Sequence, residues 1–266
     1  MSGHSKWSTI KRKKGVNDAK RGQIFTKMAN LITVAARSGG GDPEMNFKLR
    51  LAIDRAREEN MPADNIQRAI TKGAGELGEG VQLEELKYEA YGPGGVALII
   101  EAITDNKNRT LAEVKTALKD NDGRMGEMGS VAWMFKSCGV VRILGAGSDE
   151  IEMAAIEAGA DDIEQPACNA LPGRHRLCRR HAGGRSNAGR QDEGLVITTA
   201  ANKLSAVKES LAAAGAKVES AGMELIPKDP LKIEDEDILG KIAKLIEALD
   251  DLDDVSEVYS NLDSRY

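Results

Sequence analysis

From residue 22 onward, GQIFTKMANLITVAAR sets Ile24, Met28, Leu31, Ile32 and Ala35 on one helical face, and Gly39-Gly40-Gly41 ends the run. A second helix is predicted from about Glu44 to Asn60, with Met45, Leu49, Ala52, Ile53 and Ala56 repeating the pattern. Pro62 suits the first turn of a third helix whose Ile66 and Ile70 point inward, before Gly73, Gly75 and Gly78 break the pattern. Residues 1–21 show no such repeat and read as mostly irregular. The first stretch is therefore a small domain of three short amphipathic helices.

The period changes after residue 80. Leu86, Tyr88 and Ala90 alternate, GPGG (92–95) turns the chain, and Val96, Leu98, Ile100 and Ala102 alternate again, which predicts a hairpin. Thr110-Leu-Ala-Glu113 has the form of a capping box opening a helix with Leu111, Val114 and Leu118 inward. A glycine-studded loop then leads to a predicted strand at about 131–144. A helix (Ile151, Ala154, Ala155, Ala158), a strand (Leu195 to Thr198) and a helix (Leu204, Val207, Leu211) closed by Gly215 follow. A strand pair is predicted around Val218 to Ile226, then a helix carrying Ile238, Ile242, Leu245, Ile246 and Leu249, and a last strand from Val255 to Leu262. The fold class is α+β: a three-helix N-terminal domain followed by two small α/β, ferredoxin-like sandwiches, one nested in the other. The expected domains are 1–78, 79–130 with 232–266, and 131–231.

Composition changes this picture through charge. The 266-residue chain carries a net −5, yet residues 1–75 hold 15 Lys/Arg against 7 Asp/Glu. Residues 165–191 hold six Arg and no acid, so the remainder is strongly acidic. Such segregation predicts one surface made for a polyanion. No run approaches the roughly 18 apolar residues of a membrane helix, and MSGHSKWSTIKRKK has no apolar core of a secretory signal. Three cysteines, Cys138, Cys168 and Cys178, make no disulfide framework. A reduced, cytoplasmic protein with no membrane partner is expected.

The candidate chemistry follows the charge. Lys11 to Arg21 contains six basic residues and one acid, preceded by Lys6 and Trp7. Cations at this density displace the counterions condensed on nucleic-acid phosphates. Lys27 and Arg37, with Lys48, Arg50, Arg55 and Arg57, extend the positive field. Trp7 either stacks on an unpaired base or fills a gap in the helical core, and the core reading is preferred for it alone. Cys168, His175, Cys178 and His181 match no structural zinc spacing, so that stretch reads as an unstructured basic loop and no metal is expected. GPGG, residues 104–110 and residues 123–130 match no phosphate-binding fingerprint and read as turns. With His4 the sole histidine outside the basic loop, no catalytic triad has material, so neither an enzyme nor a cofactor is expected.

Several longer motifs identify a family. GHSKW, IKRKK, KR-x-x-x-F-T-K, YEAYGPGGVALIIEAITDNKNRT and GSVAWMF closely resemble the YebC/PmpR family, over nearly the whole chain. These are bacterial regulatory proteins with mitochondrial relatives that act as translational activators. The resemblance implies a three-helix domain and two α/β domains around a cleft. It places His4, Lys6, Trp7, Lys11 and Lys14 in the family's basic N-terminal motif, to which the charge pattern adds Arg12, Lys13, Lys20, Arg21, Lys27 and Arg37 as phosphate contacts. Asn108, Arg109 and Thr110 fall in the family's inter-domain loop motif. Two partners are implied: DNA, for a transcriptional regulator, or ribosomal RNA, for a ribosome-associated factor that relieves stalling on proline-rich stretches. A protein-interaction adaptor is the third reading, and a monomer or weak homo-oligomer is expected. Gln165 to Gln191 depart from the family pattern, like a lineage-specific insert or a translated frameshift, which puts the packing of that edge in question.

Overall fold

The computed structural model describes the backbone of residues 6–75, 83–144, 149–164 and 194–263, with side chains described from Lys20 onward. By contacts the chain forms two compact units: residues 1–85 with 103–105, and residues 86–102 with 106–266.

The first unit is helical: α1 (Lys6–Gly39), α2 (Phe47–Glu58) and α3 (Ala63–Gly73). Its core joins Met28, Ile32, Ala35 and Ala36 of α1 to Leu49, Ile53 and Ala56 of α2 and Ile66, Ala69 and Ile70 of α3. The expected faces are therefore buried, but α1 is not short. Its 34 residues extend through the stretch read as irregular. KWSTIKRKKGVNDAKR lacks an apolar repeat, so hydrophobic periodicity gave no sign of helix there.

Buried Asn46 sets the turn between α1 and α2. Its side-chain oxygen accepts from the Leu49 amide at 3.1 Å, capping α2, while its amide donates to the Ala35 and Gly40 carbonyls at 2.8 Å each. One side chain thus satisfies groups at the end of one helix and the start of the next. Helices α1 and α3 approach closely at Gly73, where a Cβ would lie 2.4 Å from the Thr33 carbonyl oxygen.

The second unit holds two four-stranded antiparallel sheets. In the first, β1 (Glu84–Tyr91), β2 (Ala97–Thr104), β3 (Arg124–Met125) and β8 (Val255–Ser260) lie in the order β3-β1-β2-β8. Helices α4 (Lys107–Asp120) and α7 (Glu236–Asp250) supply Val114, Leu118, Ile242, Leu245 and Leu249 against Leu98, Ile100 and Val258 of the sheet. The second sheet is built from β4 (Phe135–Leu144), β5 (Ala160–Glu164), β6 (Leu195–Thr199) and β7 (Lys217–Pro227), in the order β5-β6-β4-β7. With α5 (Asp149–Glu157) and α6 (Leu204–Ala213) it follows the βαββαβ path and strand order of a ferredoxin-like sandwich. All four of its strands fall in sequence between β3 and β8, so this half is nested within the other.

The structure revises several sequence expectations. Strand β2 is not half-buried: Ala97 and Ile99 on its second face pack with Tyr259 against Val131, Phe135 and Leu225. A strand covered on both faces loses the alternation that an exposed face imposes. The helix expected to start at a Thr110 box begins at Lys107, because the Asn106 side chain caps the Asn108 and Arg109 amides first. The strand expected from 131 begins at Phe135, after a single 3-10 turn over Ala132–Met134. One continuous strand, β7, replaces the pair expected at 218–226 and runs along all of β4. The edge strands β3 and β5 were missed: one has two residues, and the other, Ala-Asp-Asp-Ile-Glu, has too little apolar alternation.

The atypical segment joins two paired strands. Glu164 at the end of β5 lies opposite Val196 at the start of β6. The β5–β6 ladder therefore keeps its pairing as far as the described residues reach on either side of the segment. The Cys168, His175, Cys178 and His181 set lies outside the described residues.

Candidate nucleic-acid interface

Of the predicted phosphate-binding residues, all but His4 fall on one element, α1. His4 lies outside the described residues, and for Lys6, Trp7, Lys11, Arg12, Lys13 and Lys14 only the helical backbone is described. A continuous helix gives their spacing a meaning. Lys6, Lys13, Lys20 and Lys27 recur every seven residues, a step that drifts by only about 20° around an α-helix. At about 1.5 Å per residue, the four lysine positions form a stripe about 31 Å long. Lys14 and Arg21 repeat the same interval beside it.

Farther along the helix the side chains are described. Lys20 and Arg21 are exposed, Lys27 is half-buried and Arg37 is exposed. The Arg21 guanidinium lies 5.4 Å from the centre of the Phe25 ring. Arg37 donates to the Leu83 carbonyl oxygen at 3.4 Å, within its own unit. Arg50, expected to extend the positive field, instead ties down the turn before α2 by donating to the Pro43 and Glu44 carbonyls at 3.1 and 2.8 Å. Arg57 lies 3.7 Å from Asp54.

Asn108, Arg109 and Thr110 form the first turn of α4 rather than a loop. Arg109 grips the Asp254 carboxylate through both guanidinium nitrogens that face it, at 2.8, 3.0 and 3.3 Å. Thr110, fully buried, donates to the same carboxylate at 2.7 Å. The motif thus pins the start of α4 to the residue preceding β8. Burial and the Asp254 charge push the nearby Tyr88 phenol above its ordinary value, and Lys107 partly opposes them.

A second clamp explains the glycine-studded loop. The Glu89 carboxylate accepts from the amides of Gly129 (2.6 Å), Val131 and Ala132 (2.9 Å). Burial pushes this carboxyl upward, but the three amide donors outweigh it and hold it below the usual glutamate value. A phosphate cradle needs these same donors, and a carboxylate already occupies them. The loop is a turn, as expected, and the sequence gave no hint of its clamp, because Glu89 looks like any solvent-side residue of a strand. GPGG is also a turn, with Gly94 at φ 68° close against Ile233 and Ile238.

Residues 5–76 match the family model described as the TACO1/YebC protein N-terminal domain, and residues 83–262 match the model of the TACO1/YebC second and third domain. The chain belongs to the TACO1/YebC family. The expected resemblance is thereby borne out. A YebC-family relative from Herpetosiphon aurantiacus, named "Probable transcriptional regulatory protein", is 46% identical, covering 99% of this chain and 95% of its own length. Another of the same name, from Chlorobium luteolum, is 47% identical over 99% of this chain and 96% of its own. Among solved structures, a conserved hypothetical protein from Aquifex aeolicus superposes with a TM-score of 0.76 at 38% identity, covering 92% of this chain and 91% of that one. Among the described residues no cluster of metal-ligating side chains occurs, and no helix is long and apolar enough to cross a membrane.

Proposed function

We propose that this YebC-family chain is a non-enzymatic, cytoplasmic, DNA-binding regulator of transcription whose contact with nucleic acid runs along α1. The observation that carries this reading is the basic stripe. Cations that recur every seven residues along a helix share one face, about 10 Å apart, and together present a line of charge to a phosphate backbone. The relatives' shared name, "Probable transcriptional regulatory protein", supports transcription as the process regulated. The binding residues are His4, Lys6, Trp7, Lys11, Arg12, Lys13, Lys14, Lys20, Arg21, Lys27 and Arg37. Asn108, Arg109 and Thr110 act indirectly, by holding the α/β unit together. The domains are 1–78, 79–130 with 232–266, and 131–231.

The test is ultraviolet crosslinking in living cells, with both DNA and RNA recovered and sequenced. Reproducible peaks at a few promoters, lost when Lys11, Arg12, Lys13 and Lys14 become Glu, are the expected result. Crosslinks concentrated in ribosomal RNA would overturn the transcriptional assignment in favour of a translation factor. Activity that survives the four substitutions would make the chain a protein adaptor.

A further inference from the structure

The loop held by Glu89 displays an aromatic ring that the fold does not use. Trp133 is 64% exposed and Met128, on the same loop, 96% exposed. Neither is placed by flexibility of the loop, since three amides between them and beside them are bound to one carboxylate. The indole itself is anchored by its edge: Nε1 donates to the Ser130 carbonyl oxygen at 3.0 Å. Tyr91 donates to the same oxygen at 3.1 Å. With its one hydrogen-bonding group engaged inside the loop, the ring has its π-surface left to offer.

Two cations are tied to the same neighbourhood. Lys228 donates from its ammonium to the Trp133 carbonyl oxygen at 2.8 Å. The exposed Arg124 guanidinium lies 5.2 Å from the centre of the Tyr91 ring, whose hydroxyl shares Ser130 with the indole. Of the acids around the loop, Glu89 is engaged by the backbone, while Glu127 and Asp229, the latter next to Lys228 in sequence, are exposed. A fixed aromatic surface with Lys and Arg close by has the chemistry of a base-stacking site with phosphate contacts beside it. A protein-binding hot spot also favours Trp, but exposed Lys and Arg near the ring suit phosphates.

We propose that Trp133 is a stacking platform for an unpaired nucleobase, with Arg124 and Lys228 meeting the adjoining phosphates. This rests on the reading of the chain as a nucleic-acid binder and adds a second contact, on the α/β unit, that recognises single-stranded character.

The experiment uses the full chain with RNA and DNA strands of one sequence, each single-stranded and as a duplex. Anisotropy of a labelled strand reports binding, and tryptophan emission reports stacking. In a Trp7→Phe background, which leaves position 133 as the chain's single tryptophan, the expected result is quenching by single strands that saturates together with anisotropy and is lost on adding Trp133→Phe, which retains most of the affinity. Trp133→Ala should weaken single-strand binding by about 5- to 150-fold, the range of one lost base stack, and leave duplex binding unchanged. A larger loss on the RNA strand would assign the base to RNA, and a larger loss on the DNA strand to melted DNA. Emission from position 133 that stays constant while anisotropy saturates, or Trp133→Ala binding like the parent, would overturn the proposal and leave the surface to a protein partner. If no strand or duplex raises the anisotropy, the nucleic-acid reading fails together with it.

Discussion

The two units use their charged residues in opposite ways. In the helical unit the core is apolar, and the cations of α1 stand on a helix whose packing is carried by Met28, Ile32, Ala35 and Ala36. In the α/β unit, the charged residues of the longest family motif are held within the fold: Glu89 by three backbone amides, and Arg109 by Asp254. A long, distinctive motif is therefore no guide to where a ligand sits. YEAYGPGGVALIIEAITDNKNRT is distinctive because a doubly covered strand, a tight turn and two hydrogen-bonded clamps constrain it. The basic segment carries no apolar repeat to account for it, and its composition suits a polyanionic partner.

Charge reversal separates the two units most strongly. Lys11, Arg12, Lys13 and Lys14 changed together to Glu should lower nucleic-acid affinity by about 100-fold or more without moving the melting temperature, as anisotropy and calorimetry would show. Asp254→Ala should do the converse. It removes the carboxylate that Arg109 and the buried Thr110 hydroxyl share, leaving Thr110 the Asn106 carbonyl, so a loss of about 1.5–3 kcal/mol in denaturant unfolding is expected, with affinity intact below the transition. Within the helical unit, Asn46→Ala removes a cap and the link to α1, and about 1–2 kcal/mol of stability should go with it.

A smaller effect comes from Glu89. Its carboxyl binds a proton less readily in the folded chain than in the unfolded one. Its contribution to stability is therefore complete above the ordinary glutamate value and is lost as pH falls through the folded value. Acid titration of stability should show this loss in the parent and not in Glu89→Gln. Also modest, replacing Pro166–Gln191 by a short turn should change stability by only about 1–2 kcal/mol, because each doubling of loop length costs only about 0.6 kcal/mol. A cooperative loss of the second sheet on deletion would show that the segment does more than connect β5 to β6.

How much of this was legible depended on whether folding or burial left a periodic mark. The core faces of α2, α3, α6 and α7 were readable because one side of each is apolar. The hairpin was readable because alternation and GPGG coincide. The outer half of α1 was not, since its positions carry charge rather than an apolar stripe. Strands β3 and β5 were too short or too polar to show a period. For the candidate site, the sign asymmetry of the sequence was enough to pick out α1. Trp133, inside GSVAWMF, reads as a strand interior, and only the fold reveals its exposure. Asp254 was unreadable because its partners lie more than a hundred residues away in the chain.

Whether α1 meets phosphates can be read from a salt titration of binding. The slope of log K against log salt for a DNA duplex reflects the number of phosphates neutralised, about 0.9 for each contact. A steep slope is expected for the parent chain and one shallower by about 3 to 4 when Lys11, Arg12, Lys13 and Lys14 are replaced with Glu. Equal slopes for the two proteins would contradict it, and would mean that the basic segment of α1 does not touch the nucleic acid.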